Sequence, residues 1–197
     1  MVNRQKNQKY RKIPEITGKR VILRKTTTAH ADKLYEQIKS LGVLENLTID
    51  INNLNEFRRY ILFIENQWQM NQDFTYTIFT KSNQVETGKL GNIRIPIGQI
   101  SIYNISFTNY RGELGIWLGR SYWTQGIGTE ALLLMIKYGF ENLFLNRLQA
   151  HIFIENARSI SLFERLGFKR EGKIREYVCK KDKFKDVYSY SLLRGEY

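Results

Sequence analysis

The stretch from Glu113 to Phe168 switches repeatedly between strand-like and helix-like patterning, and this alternation constrains the fold more than any other feature of the chain. Glu113–Leu118 reads as a strand. The segment Tyr122-Trp123-Thr124-Gln125-Gly126-Ile127-Gly128-Thr129 follows, and a helix over Glu130–Asn142 starts directly after it. Arg147–Ile154 reads as a second strand. Ala157–Leu166 reads as a second helix, stopped by Gly167 at its C′ position. Strands separated by helices in mixed order predict a central sheet with helices on its faces, not a bundle or a sandwich.

The flanking sequence extends that sheet. Arg20–Lys25 reads as a short strand, and Thr28 caps a helix through Lys39 with Leu34, Ile38 and Leu41 at helical spacing. Asn53 or Asn55 opens a further helix, with Phe57, Ile61, Ile64 and Trp68 on one face. Phe74–Thr80 alternates as a strand should. Gly88–Asn92 has turn chemistry, and Ile97–Ile105 reads as a strand. Phe168–Val178 and Val187–Leu193 form an expected antiparallel pair around Lys180–Lys185.

The 197 residues suit one domain, expected over 16–197 behind a basic, flexible tail over 1–15. The single cysteine, Cys179, cannot form an internal disulfide, which fits a reducing compartment. The longest apolar runs, such as Ala131–Ile136, fall far short of the ~20 residues of a membrane span. The basic N-terminus lacks the apolar core of a secretory signal. A cytoplasmic location is therefore expected. The net charge of +12 is concentrated at the ends: residues 1–25 hold nine Lys/Arg against one acid, and 165–197 hold ten against five. Such a field favours anionic partners, among them a ribosome surface or an acidic protein.

Two constellations carry chemistry. Gly126 and Gly128 lack side chains, so a ligand can approach the backbone there, and the free N–H groups of the next helix point at the same spot. That arrangement suits a pyrophosphate, although a Gly-x-Gly before a helix also serves as a plain tight turn. No Gly-Lys-Ser/Thr follows, so it is not a Walker loop. The third glycine of a dinucleotide fingerprint is missing too. About thirty residues on, Asn156-Ala-Arg-Ser159 joins strand to helix. The Asn156 amide is placed to bond a ligand's own amides, or to cap the helix, and the two roles are compatible.

Together these segments resemble the Gcn5-related N-acetyltransferases (GNAT), in the branch of the RimJ/RimL-type ribosomal-protein N-terminal acetyltransferases. The resemblance rests on Glu-Leu-Gly-Ile-Trp-Leu from Glu113, Tyr-Trp-Thr-Gln-Gly-Ile-Gly-Thr-Glu-Ala from Tyr122 and Asn-Ala-Arg-Ser-Ile-Ser-Leu-Phe-Glu-Arg-Leu-Gly-Phe from Asn156. The opening Gly18-Lys-Arg-Val-Ile-Leu-Arg and the ending Asp186-Val-Tyr-Ser-Tyr-Ser-Leu-Leu are similar too. It covers about Thr17 to Leu193 and implies a mixed, mostly antiparallel α/β sheet of about seven strands, with helices on both faces and one splayed parallel pair. It also implies acetyl-CoA as cosubstrate, with no metal, and a primary amine as acceptor: a protein N-terminus or a small molecule. The pyrophosphate loop would be Trp123, Gln125, Gly126, Ile127, Gly128 and Thr129, with Trp123 where the family carries Gln or Arg. The backbone of Ile116, Trp117 and Leu118 would pair with pantetheine, which Asn156, Ser159 and Phe163 would hold from the other side.

Acetyl transfer needs an uncharged amine, and a carboxylate commonly takes the ammonium proton, directly or through water. The resemblance offers Glu176 and Glu113, with Glu176 favoured. Many relatives place a tyrosine, which can protonate the leaving thiolate, where Phe163 stands. Phe163 cannot donate, and Ser159 is the nearest hydroxyl. His30 and His151 have no partners at metal or triad spacing and read as structural. A cofactor-binding protein without turnover and a nucleic-acid or ribosome-associated module remain the alternative classes. The aromatic residues sit mostly at core spacing rather than interleaved with basic ones, which weighs against the second.

Overall fold

A computed structural model describes residues 15–86 and 92–197. All but the last residue of the expected tail over 1–15, and most of the expected turn at Gly88–Asn92, lie outside those residues. Eight strands form one sheet in the order β1-β2-β3-β4-β5-β6-β8-β7. They are β1 (Ile16–Thr17), β2 (Val21–Lys25), β3 (Phe74–Glu86), β4 (Asn92–Ser106), β5 (Arg111–Leu118), β6 (Arg147–Phe153), β7 (Lys169–Lys180) and β8 (Lys183–Leu193). The helices are α1 (Ala31–Ile38), α2 (Leu54–Gln69), α3 (Ile127–Lys137) and α4 (Ala157–Arg165). The expected sheet of about seven strands gains the two-residue β1, which pairs Ile16 with Leu23.

Most of the expected elements form, with shifted ends. The helix expected from Thr28 opens with a 3-10 turn over Thr28–His30 before α1, a common device at helix starts. Asn53 caps α2 by accepting from the Glu56 N–H at 2.9 Å. Phe57, Ile61, Ile64 and Trp68 are its buried stripe. The long helix begins earlier than Glu130, at Ile127, and Tyr138–Asn142 widens into a π-helical turn closed by Leu143 N–H to the Tyr138 carbonyl at 3.1 Å. Tyr138, Phe140, Leu143 and Leu145 are all buried there, a spacing that a regular 3.6-residue turn cannot direct to one side. The β7–β8 hairpin turns through Lys181 and Asp182, both left-handed with φ of 49° and 58°, the geometry of a two-residue type I′ turn.

The two faces of the sheet differ in chemistry. One is apolar: Ile100, Ile102, Leu114, Leu148, Ala150 and Ile152 pack with Ala131, Leu132, Met135 and Ile136 of α3 and with Phe163 and Phe168. Each Leu, Ile, Met or Phe side chain among them, fully buried, contributes about 1.5–3 kcal/mol. The other face lies under Ala31, Leu34 and Ile38 of α1 and Phe57, Ile61 and Ile64 of α2. Beneath that apolar layer the sheet carries a buried polar chain. Trp117 Nε1 donates to Gln99 Oε1 at 3.2 Å, Gln99 Nε2 donates to Thr26 Oγ1 at 3.3 Å, and Thr26 Oγ1 lies 2.9 Å from Thr77 Oγ1. His30 Nδ1 ends the chain, 2.9 Å from the same Thr77 oxygen.

Candidate active site

The site originates in one break in strand pairing. β5 and β6 run parallel, but their register covers only Arg111↔Arg147, Gly112↔Leu148 and Glu113↔Gln149. Beyond Glu113, β5 stays with β4 as far as Gly98↔Leu118, while β6 stays with β8 as far as Phe153↔Val187. The strands therefore part, and a wedge opens between Leu114–Leu118 and the second half of β6. A cleft of about 650 Å³ lies against this opening.

The glycine turn closes the base of the cleft. Gly126 adopts φ +74°, which glycine tolerates and most residues do not. The first α-helical bond of α3 runs from Glu130 N–H to the Gly126 carbonyl at 3.1 Å, so the preceding N–H groups are left without helical acceptors. A Cβ on Gly128 would sit 3.5 Å from Leu118 Cδ1 and 3.6 Å from Leu162 Cδ2, among the side chains that line the cleft. Arg20 braces the turn from outside, donating from Nη1 to the Gln125 carbonyl at 2.9 Å and from Nε to Glu130 Oε2 at 3.4 Å.

Trp123 organises the mouth. Its Nε1 donates to the Leu118 carbonyl at 2.8 Å, tying the loop to the end of β5. The Arg158 guanidinium lies 3.5 Å from one ring centroid of the indole, and that of Arg120 lies 5.1 Å away. Arg158 and Arg165 line the cleft, and no Asp or Glu is among the lining residues. The mouth is thus positive. On α4, Asn156 Oδ1 accepts from the Ser159 N–H at 3.2 Å, so Asn156 is a helix cap, and both residues also line the cleft.

A third wall comes from the segment between α1 and α2, through Gly42, Val43, Asn46 and Leu47. Lys180, at the end of β7 and only 7% exposed, fastens that segment. Its Nζ donates to the carbonyls of Leu44 at 2.8 Å, Leu47 at 2.6 Å and Ile49 at 3.0 Å, and pairs with Asp50 at 3.3 Å.

At the point where the strands part, the polar face holds a buried carboxylate. Glu113 Oε1 accepts from Tyr103 Oη at 2.5 Å and lies 3.0 Å from His151 Nδ1. Glu113 Oε2 accepts from Asn104 Nδ2 at 3.3 Å. Burial alone would push the Glu113 carboxyl up, but the bonds from His151, Tyr103 and Asn104 outweigh it and hold the group below the usual range. Burial and the neighbouring Glu113 push the Tyr103 phenol well up. The Tyr177 ring lies 4.7 Å from the His151 ring.

The structure brings together much of the expected set. Ile116, Trp117, Leu118, Trp123, Gly126, Gly128, Thr129, Asn156 and Ser159 all line one cleft. Four expected contributors point elsewhere. The Gln125 side chain turns back to donate to the Ser121 carbonyl at 2.6 Å. Ile127 is buried in the apolar core, as is Phe163, whose ring packs edge-on against Phe168 at 5.0 Å. Glu176 sits on a bulge of β7 with φ +52°, exposed beside Lys173, Ile174, Arg175 and Asp186. Its own N–H donates to Asp186 Oδ1 at 2.8 Å.

His151 is the residue that sequence spacing missed. Its partner is 38 positions away and becomes visible only through the parallel register: Glu113 is level with Gln149, and His151 lies two residues on, on the same face. Lys180 is equally hidden, because its partners lie more than 130 positions away. Among the described residues no group of three or more His, Cys, Asp or Glu is placed to hold a metal, and no helix is long and apolar enough to cross a membrane.

Comparison with known proteins agrees with this architecture. The family "Acetyltransferase (GNAT) domain" matches residues 20–169. The chain is 34% identical over 179 residues to the uncharacterised N-acetyltransferase p20 of Bacillus licheniformis, spanning 90% of this chain and 95% of that one. It is 35% identical over 115 residues to YdaF of Bacillus subtilis, named as a candidate ribosomal N-acetyltransferase, spanning 58% of this chain and 62% of the other. In structure it resembles a candidate ribosomal-protein-serine acetyltransferase from Vibrio cholerae, with a TM-score of 0.77, 25% identity, and 91% and 97% of the two chains covered. The same fold recurs in RimL, a ribosomal L7/L12 α-N-protein acetyltransferase solved with coenzyme A, at a TM-score of 0.78 and 19% identity over 91% and 98% of the chains. By sequence and by fold, the chain belongs to the acetyltransferase (GNAT) family, the N-acetyltransferases.

Proposed function

We propose that the protein transfers the acetyl group of acetyl-CoA to a primary amine, and that the amine is the N-terminal α-amine of a protein. The observation that supports this reading is the joining of three features in one cleft: the split β5–β6 pair, the glycine turn at the start of α3, and a positive mouth without acidic lining. A pyrophosphate fits the turn, because N–H groups converge there and the absent Gly128 side chain leaves room. Arg158 and Arg165 supply counter-charge for the remaining phosphate. The unpaired edge of β5 at Ile116–Leu118 suits the amides of pantetheine, and Asn156 faces it from α4. Ser159, beside Asn156, is the hydroxyl available to the leaving thiolate.

Glu113 lies where the strands part, and its negative charge would draw a protonated amine toward the thioester. Glu176 is the second carboxylate, set further out on the β7 bulge. The protein acceptor is favoured by the names of two relatives, which point to ribosomal substrates, and by the exposed lysines and arginines of β7 and β8, which suit an acidic or ribosomal partner. Calorimetry with CoA, followed by thiol-release assays against N-terminal peptides and small amines, tests the reading. Heat on titration with CoA, and thiol release with a peptide in preference to small amines, is the expected result. Thermal stabilisation by RNA but not by CoA would turn the assignment toward a nucleic-acid module.

A further inference from the structure

His151 and Glu113 form a buried pair that spans the two strands at the point of their divergence. Their side chains are 10% and 8% exposed, and Nδ1 lies 3.0 Å from Oε1. Glu113 is fully engaged: Tyr103, Asn104 and His151 surround its two oxygens. A carboxylate in that position would have to give up a bond to accept a proton from a substrate. His151 is differently placed. With Nδ1 facing a carboxylate, the hydrogen of a neutral ring belongs on Nδ1, and Nε2 keeps a free lone pair. Among the described residues no protein group bonds Nε2. The Tyr177 ring lies against the imidazole at 4.7 Å and fixes its rotation.

We propose that His151 is the proton acceptor for the substrate amine, with Glu113 as the positioning residue that sets its tautomer. The proposal rests on the acetyl-transfer reading above. Nε2 takes one proton from the R–NH3⁺ acceptor, leaving R–NH2 and an imidazolium steadied by Glu113. The amine lone pair then forms the N–C bond to the thioester carbonyl. As the C–S bond breaks, the second amine proton passes to sulfur, giving the amide and CoA–SH. The imidazolium returns its proton to solvent. This is the division of labour in which a buried carboxylate orients a histidine without itself becoming protonated.

The groups that face this pair are Tyr103 and Asn104 from β4 and Tyr177 from β7. Tyr60 of α2 acts on it through the Tyr103 phenol. Glu113 is the carboxylate that bonds the ring, so the tautomer of His151 rests on this one contact.

The first test needs no acceptor. The chain has two histidines, so ¹⁵N spectra of the intact protein, assigned by comparison with H151Q, report both rings. The expected result is the Nδ1–H tautomer for His151 at pH 8. An Nε2–H tautomer would overturn the proposal. The second test uses an amine that releases thiol from acetyl-CoA. H151Q should lower kcat/KM by about 10²–10⁴-fold while CoA affinity by calorimetry stays unchanged, and the acidic limb of the pH profile should disappear. E113Q should shift that limb instead of removing it. An H151Q enzyme with full turnover and an intact acidic limb sinks the assignment. Failure of the wild-type protein to bind CoA sinks the acetyl-transfer reading instead, and the two failures are read by different instruments.

Discussion

The Nζ of Lys180 lies 2.6 Å from the carbonyl oxygen of Leu47, joining the tip of β7 to the segment that walls the cleft. Two further carbonyls, of Leu44 and Ile49, accept from the same ammonium. Hydrogen bonds to a charged group are worth about 1.5–3 kcal/mol each, so this one side chain decides where Val43, Asn46 and Leu47 stand. Lys180→Met keeps most of the stem and removes all three bonds. Amide exchange over 42–50 should then accelerate, and CoA should bind more weakly, while β3 and β4 stay protected. Unchanged exchange in that segment would mean that the loop holds its own shape and Lys180 only fills space.

Trp123 and Arg158 make a second testable unit. The indole holds the guanidinium at the cleft mouth instead of letting it trail in solvent. If the guanidinium meets a phosphate, Arg158→Ala should weaken CoA binding roughly tenfold, about 1.4 kcal/mol, at low salt. The loss should shrink as salt screens the charge. Trp123→Ala should also lower the melting temperature, because it removes the bond to the Leu118 carbonyl along with the ring. A salt-independent effect of Arg158→Ala would assign it to packing rather than charge.

Asn156 carries two roles that one substitution separates. Its Oδ1 caps α4, and loss of such a cap costs about 0.5–2 kcal/mol. Asn156→Asp preserves the capping oxygen and removes the amide N–H donors. Asn156→Ala removes both. The expected pattern is a stable Asp variant with weakened CoA binding or turnover, and an Ala variant that is weak and also melts earlier. An Asp variant with full activity would leave Asn156 as a cap alone.

These predictions divide according to what local sequence can carry. The cleft base was legible because its parts are local: Gly126 and Gly128 sit beside the helix they open, and Asn156 beside Ser159. The resemblance supplied the wedge, and the register of Glu113 with Gln149 bears it out. The three-walled form of the cleft was not legible, because Lys180 reaches its partners across the fold, and a lysine near a hairpin turn looks like any surface charge. The Glu113–His151 pair escaped for a related reason: a parallel register fixes neighbours that no fixed spacing along the chain encodes. Phe163 was placed in the cleft by analogy, whereas its position on α4 turns it toward Phe168 and the core. The helix boundary moved earlier, from Glu130 to Ile127, because the left-handed Gly126 already makes the turn into the helix.

The last prediction concerns Asp73, at the entry to β3. Its Oδ1 accepts from Thr75 Oγ1 at 2.5 Å, and burial pushes its carboxyl from an ordinary value near 3.8 to about 6. The sign follows from linkage. A carboxyl with a raised folded pKa binds its proton more tightly in the folded state than in the unfolded one, so folding is favoured where it is protonated. That contribution is complete below about 3.8 and is lost as pH rises through about 6. Above that point the folded protein holds a poorly solvated anion. Asp73→Asn keeps an oxygen for Thr75 and cannot ionise. The melting temperature of Asp73→Asn minus that of the wild type should therefore be small near pH 4, grow through pH 5–6, and level off by pH 7–8 with the variant the more stable. A difference that is constant with pH would show that Asp73 is solvated well enough to ionise at its ordinary value. A wild type that gains on the variant as pH rises would show that an unrecognised cation stabilises the charge.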